Sequence, residues 1–299
     1  MKNKVRNGIS HGLFALVTNT AEQLIQLRVK IGKIIRKLGE KMELKIMTFN
    51  LRCDCGADGI NNWVHRTDLV KEAIYGESPD IIGFQEVTRR MLEDVRGLIE
   101  TDYAIFGAGR NADYTGEGVN IAFKKDKFDL LGLETFWLSD TPNVPGSRYE
   151  SLDQSTCPRT ALISELALRG KGKKLYFCNT HLDHLGEQAK IHGARLICEK
   201  LEAKCTDNDT VIITGDMNAT PESGPIKEFC NSSLGTKDIT DVNEATFHQW
   251  GTRLDESIKI DYIFTNAKKS DKPCKIVKEY EKDGVYCSDH YPVCAYVEI

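Results

Sequence analysis

From Leu44 to the C-terminus, short runs rich in Ile, Val, Phe and Tyr alternate with longer segments of helical spacing. Strand-length runs cover 44–50, 80–85, 119–124, 129–134, 161–168, 174–180, 210–215, 259–265 and 292–298. Helical spacing covers about 62–76, 87–100, 187–205 and 224–231. Strands outnumber helices, which implies a mixed sheet with the helices outside it. Pro221 and Gly224-Pro225 mark the loop before the last helix. The 139–159 stretch holds Pro142, Pro145, Gly146 and Pro158 and reads as an ordered surface loop. With 299 residues, 40% hydrophobic and 28% charged, the chain has ample material for a core. No run approaches the ~20 apolar residues that cross a bilayer. The longest early one is 13–17.

Several strands finish on chemically capable residues. Met47-Thr48-Phe49-Asn50 ends on an amide, and Phe84-Gln85-Glu86 ends on a carboxylate, an oxygen ligand suited to a hard cation. Glu86 also suits a cap for the helix that follows. Asn179-Thr180-His181 carries an imidazole. Asp216 and Asn218 stand two apart, so on a strand their side chains point the same way. A carboxylate that can take a proton from water then meets an amide that can hold a phosphoryl oxygen. The same residues are turn formers. Ser288-Asp289-His290 adds a carboxylate and a second imidazole. Asp261 lies inside an apolar strand, where a charge needs a partner, and an imidazolium is the natural one. Glu117, just before another strand, is placed to do the same for the other histidine. Carboxylates, amides and two histidines at one sheet edge suit a hard metal ion and a phosphate ester.

Taken in order, 44–50, 83–86, 179–182, 215–218, 260–264 and 288–292 resemble the motifs of the endonuclease/exonuclease/phosphatase superfamily. That superfamily includes pancreatic-type deoxyribonuclease, abasic-site endonucleases, poly(A)-removing nucleases, inositol polyphosphate 5-phosphatases and neutral sphingomyelinases. The resemblance spans 43–299 and leaves 1–42 as a separate extension. It implies a four-layered α/β/β/α sandwich, with two packed mixed β-sheets and outer helices. It also implies hydrolysis of a phosphoester with Mg2+ or Mn2+. On the matching positions, Glu86 and Asp289 are metal ligands with Asn50 beside the metal. Asp216 orients or deprotonates the attacking water. Asn218 and His181 contact the scissile phosphate, and His181 is the candidate proton donor to the leaving oxygen. His290 stabilises the developing charge, and Asp261 fixes its tautomer. Glu117 and Arg159 fall where related nucleases place a histidine partner and a phosphate-binding arginine. The 135–139 and 246–250 segments resemble a bacterial branch of unassigned substrate. There His248 and Trp250 are candidates for the cleft wall, with Trp250 stacking on a base or sugar or serving as a core aromatic.

Charge bears on the substrate. Residues 1–42 hold nine Lys and Arg against two Glu, a surplus of seven positive charges. The chain total of -4 therefore leaves eleven negative charges on the rest. An acidic body is poorly suited to neutralising nucleic-acid phosphates, which favours a small or single-stranded phosphoester. The expected enzyme is monomeric. Three alternatives stay open: a nuclease acting on nucleic acid, a sphingomyelinase-like phospholipid phosphodiesterase, and a non-catalytic membrane-associated scaffold. In the extension, Leu24, Ile25, Ile31, Ile34, Ile35 and Leu38 interleave with Arg28, Lys30, Lys33, Arg36 and Lys37. This pattern is a basic amphipathic helix, either a solvated extension or a peripheral membrane contact. Ten cysteines without a CxxC pair read as the reduced thiols of a cytoplasmic protein.

Overall fold

The structure is a computed structural model that describes residues 23, 26–30, 42–242, 244–254 and 258–299. Gln23 and residues 26–30 are helical and exposed, and the rest of the expected amphipathic helix lies outside the described residues. Residues 42–169 and 173–299 form one unit. In chain order its elements are β1 (Glu43–Asn50), α1 (Trp63–Glu77), β2 (Ile81–Val87), α2 (Arg89–Ile99), β3 (Tyr103–Gly109), β4 (Gly118–Lys124) and β5 (Phe128–Trp137). There follow β6 (Thr160–Leu168), β7 (Lys173–His181), α3 (Glu187–Glu202), β8 (Thr210–Asp216), α4 (Gly224–Asn231), β9 (Lys237–Asp238) and β10 (Asp261–Thr265). Five strands close the chain: β11 (Lys268–Lys269), β12 (Lys275–Ile276), β13 (Glu281–Lys282), β14 (Val285–Tyr286) and β15 (Val293–Glu298).

Two mixed sheets result. One runs β11-β15-β1-β2-β4-β3, with β12 also on β15, and the other runs β5-β6-β7-β8-β10-β9. Side-chain parity explains why they pack face to face. On β1, Leu44 and Ile46 join the apolar layer between the sheets, while Met47 and Phe49 pack under α1 and α2. On β7, Leu175 and Phe177 take the inner layer, while Tyr176 and Cys178 face α3. Helices α1 and α2 cover one outer face with Trp63, Val70, Ile74, Met91 and Val95. Helices α3 and α4 cover the other with Ala194, Ile197, Leu201 and Phe229. The four-layered α/β/β/α arrangement expected from the motifs is what forms.

All nine expected strands and all four helices are present. Strand β3 was not expected: its sequence, Tyr-Ala-Ile-Phe-Gly-Ala-Gly, has only two fully buried positions and two glycines. The two-residue strands β9 and β11–β14 carry no periodicity to read. The 139–159 stretch is loop throughout. All ten cysteines are unpaired. Among the described residues, no helix is long and apolar enough to cross a membrane.

Candidate active site

The inner faces of the strands change character along their length. On β1 the inner positions read Leu44, Ile46, Thr48, Asn50, and on β7 they read Leu175, Phe177, Asn179, His181. On β8 they read Ile212, Thr214, Asp216, and on β10 Ile263 follows Asp261. Oil gives way to polar groups at one end of the sandwich. Pairing aligns those ends: His181 is opposite Asp216, and Asp216 is opposite Asp261.

Glu86 reaches the same place by breaking the rule. Strand β2 is irregular between Phe84 and Val87, and Glu86 has a φ of 62°, a left-handed conformation that costs energy away from glycine. The kink turns its carboxylate into the site. The Asn50 amide donates to Glu86 Oε1 at 3.0 Å and to Asp216 Oδ2 at 3.0 Å, holding the two carboxylates one amide apart. Asn50 Oδ1 accepts the Arg52 N–H at 2.8 Å, so the oxygen is engaged by backbone. The Cys53 N–H donates to Glu86 Oε2 at 2.9 Å.

Asp216 ends its strand, and Asn218 lies beyond it in a left-handed turn with a φ of 46°. The two therefore converge through a turn and not through strand alternation, which corrects the expected cause. The Asn218 N–H caps Asp216 Oδ1 at 2.9 Å. Its Nδ2 donates to Leu182 O at 3.1 Å and lies 3.0 Å from His181 Nε2. With that donor aimed at it, His181 Nε2 is the acceptor and the ring proton sits on Nδ1. Asp216 Oδ2 lies between the two imidazoles, 3.5 Å from His181 Nε2 and 3.7 Å from His290 Nε2. His290 Nδ1 meets Asp261 Oδ2 at 2.9 Å, the pairing expected for a charge inside an apolar strand.

The two histidines are driven in opposite directions. Burial and then the charges of Arg159 and Arg110 push His181 well below its usual value, so it is neutral. Burial also opposes charge on His290, but Asp261, Asp216 and Asp289 overcome it and raise the ring to about 10. Burial, with Asp261 and Glu86 adding to it, lifts Asp216 to about 7. Burial and Glu86 lift Asp289 as well. Burial would do the same to Glu86, but the Asn50 and Cys53 hydrogen bonds hold it below the carboxylate range. Buried carboxylates pressed against one another form a donor set that a hard divalent ion would relieve. Donor atoms of Glu86, His181 and Asp216 all lie within 4.8 Å of one another. The residues present fit such an ion.

Other expected residues sit differently. Glu117 pairs with Arg110 at 2.7 Å, so it fixes an arginine and does not partner His181. Its own carboxyl is raised by burial and by Glu86. Arg159 is buried, 3.0 Å from His184 Nδ1 and 3.6 Å from Asp183, and its Nε and Nη1 have no hydrogen-bond partner. His248 is turned into the protein: it is buried, stacked on Tyr291 at 3.9 Å, and Nδ1 accepts the Gly251 N–H. Trp250 lies over the Arg66 guanidinium, 5.2 Å from its ring centre. His248 is thus held inside the protein, while Trp250 is half-buried against Arg66. Sequence reasoning passed over Arg66 itself. Its signal was a charge at the apolar spacing 63, 66, 70, 74 of α1.

Comparison with known proteins places this geometry. The family model described as Endonuclease/Exonuclease/phosphatase family matches residues 47–290. An endonuclease/exonuclease/phosphatase of known structure from Bacteroides vulgatus is 31% identical with a TM-score of 0.79, covering 86% of this chain and 99% of its own. A mannosyl-6-phosphatase from Bacteroides thetaiotaomicron is 26% identical with a TM-score of 0.76, covering 86% and 99%. An uncharacterized protein of Acanthamoeba polyphaga mimivirus is 25% identical over 249 residues, 78% of this chain and 91% of that one.

Proposed function

The chain belongs to the endonuclease/exonuclease/phosphatase family and is a phosphoester hydrolase, and from that premise we propose that it cleaves the phosphoester of a small phosphorylated molecule with a bound Mg2+ or Mn2+. The observation that carries the reading is the placement of Asp216 Oδ2 between a neutral His181 and a charged His290. Glu86 and Asp289 would hold the cation with Asn50 beside them, and the cation would supply charge neutralisation at the phosphate. Asp216 takes the proton of the attacking water. The His290 imidazolium, held by Asp261, faces the charge that builds on the phosphoryl oxygens. Asn218 orients His181, and an incoming phosphate dianion favours proton uptake on that ring for delivery to the leaving oxygen. The unpartnered Nε and Nη1 of Arg159 are donors in reserve for a phosphoryl oxygen.

Two observations favour a small substrate. The body of the chain is acidic outside its first 42 residues, and one neighbour, 26% identical, is a mannosyl-6-phosphatase. A phosphorylated sugar is therefore the first substrate to offer. A monomeric cytoplasmic enzyme, touching membranes only through residues 1–42, completes the proposal. Purified protein with Mg2+ should be given a sugar phosphate, an inositol phosphate, sphingomyelin, single-stranded RNA and plasmid DNA. Phosphate release from the sugar ester is expected, with a loss of about 10²–10⁴-fold in Asp216→Asn. Turnover that survives Asp216→Asn sinks the mechanism. Cleavage of nucleic acid or sphingomyelin alone sinks the small-molecule reading.

A further inference from the structure

Arg66 is fully buried in the first turn of α1. A charged group is expensive there unless something offsets its lost hydration. Four carbonyl oxygens and two indole rings surround it. Nε donates to Asn61 O at 2.6 Å, Nη1 to Leu51 O at 2.7 Å and Cys287 O at 2.8 Å, and Nη2 to Arg52 O at 2.9 Å. The rings of Trp63 and Trp250 lie 5.3 Å and 5.2 Å from the guanidinium carbon, within cation–π range.

The carbonyls are what make the arrangement informative. Leu51 and Arg52 directly follow Asn50, and the next residue, Cys53, holds Glu86 through its N–H. Cys287 directly precedes Ser288 and Asp289. One guanidinium thus ties the segment that grips Glu86 to the segment that carries Asp289. Among the described residues, the other direct links between these segments are Ser288 Oγ to Asn50 O at 2.6 Å and Arg52 Nε to Asp289 Oδ2 at 3.9 Å. A rigid planar fork with five N–H groups fixes the spacing of two loops in a way a lysine ammonium does not.

We propose that Arg66 is a positioning residue of the metal site: its fork sets the separation of Glu86 and Asp289 so that both carboxylates meet one cation. The inference rests on the metal reading above. Groups that orient metal ligands from behind change affinity by about 10–100-fold when altered.

The test is titration calorimetry with Mn2+ alone, on metal-free wild type, Arg66→Lys and Trp250→Leu, alongside thermal melts without metal. Wild type is expected to bind Mn2+. Arg66→Lys should bind it about 10–100-fold more weakly, and Trp250→Leu, which frees one face of the guanidinium, should weaken it in the same direction. Turnover of Arg66→Lys should recover toward wild type as Mn2+ is raised. A role in stability alone predicts lower melting temperatures with the Mn2+ affinity of the folded protein unchanged, and that result overturns the inference. If Arg66→Lys does not fold, an unchanged affinity in Trp250→Leu overturns it equally. Absence of Mn2+ binding by wild type is a different failure, because it removes the metal reading itself.

Discussion

At the scale of single residues, the site depends on a buried imidazole that carboxylates hold in its charged form. His290 lies against Asp261 at 2.9 Å and is raised from 6.5 to about 10. A group raised on folding binds more protons in the native state, so its stabilisation is complete below about pH 6.5 and is lost as the pH climbs through about 10. Asp261→Asn removes the main charge that opposes burial. The melting temperatures of metal-free wild type and Asp261→Asn should therefore differ most near pH 6 and converge toward about pH 10. A gap that widens with pH would show that the pair is not ionised as described. Asp261 was legible because a carboxylate in an apolar strand demands a cation. His248 was misleading for a related reason. Its ring chemistry looked available, but burial and His290 push it down to about 4, and it serves as a flat neutral ring on Tyr291.

At the scale of elements, the catalytic ends are held in register by a polar seam one layer beneath them. Gln85 on β2 donates to Asn179 Oδ1 on β7 at 2.7 Å and to Thr48 Oγ1 on β1 at 3.1 Å. Asn179 Nδ2 returns to Phe84 O at 2.7 Å and Asn120 O at 2.9 Å, and Thr214 Oγ1 donates to Asn179 Oδ1 at 3.1 Å. Three of these bonds, Gln85 to Asn179 and Asn179 to Phe84 and Asn120, cross from one sheet to the other below Asn50, His181 and Asp216. The crossing needs Gly83, since a Cβ there would stand 2.1 Å from Thr214 Oγ1 and 2.5 Å from Asn179 Oδ1. Gly83→Ala should cost about 1–3 kcal/mol of stability by overpacking, read as a lower urea midpoint with an unchanged slope. An unaltered midpoint would mean that the sheets separate freely at the seam. Strand periodicity made the sheets readable, and polar strand ends made the site readable. The seam was not readable, because Asn179 and Gln85 looked like ordinary strand residues until two distant strands faced each other. The turn after Asp216 escaped for a local reason: alternation continues on paper past the point where the Asn218 N–H caps Asp216 and ends the strand.

At the scale of the whole molecule, the fold gathers negative charge at one end of an already acidic body. Glu86, Glu117, Asp216 and Asp289 come from β2, the loop before β4, the end of β8 and the loop before β15. The last three are raised by burial, with Glu86 adding to each. A cation bound there acts on the native state only, so it should raise the melting temperature by mass action. At a hundredfold excess of Mg2+ over Kd the gain is about 2.7 kcal/mol, or roughly 5–10 °C for a domain of this size. NaCl at matched ionic strength separates this from screening of the acidic surface, which any salt provides. Protonation removes negative charge from the same cluster, so the Mg2+ shift should shrink as the pH falls below about 7, where Asp216, beside Glu86, takes up its proton. Glu86→Gln should remove most of the shift at every pH, and a chelator should abolish it in wild type together with turnover. A full Mg2+ shift that persists in Glu86→Gln would locate the cation away from Glu86 and overturn its assignment as a ligand.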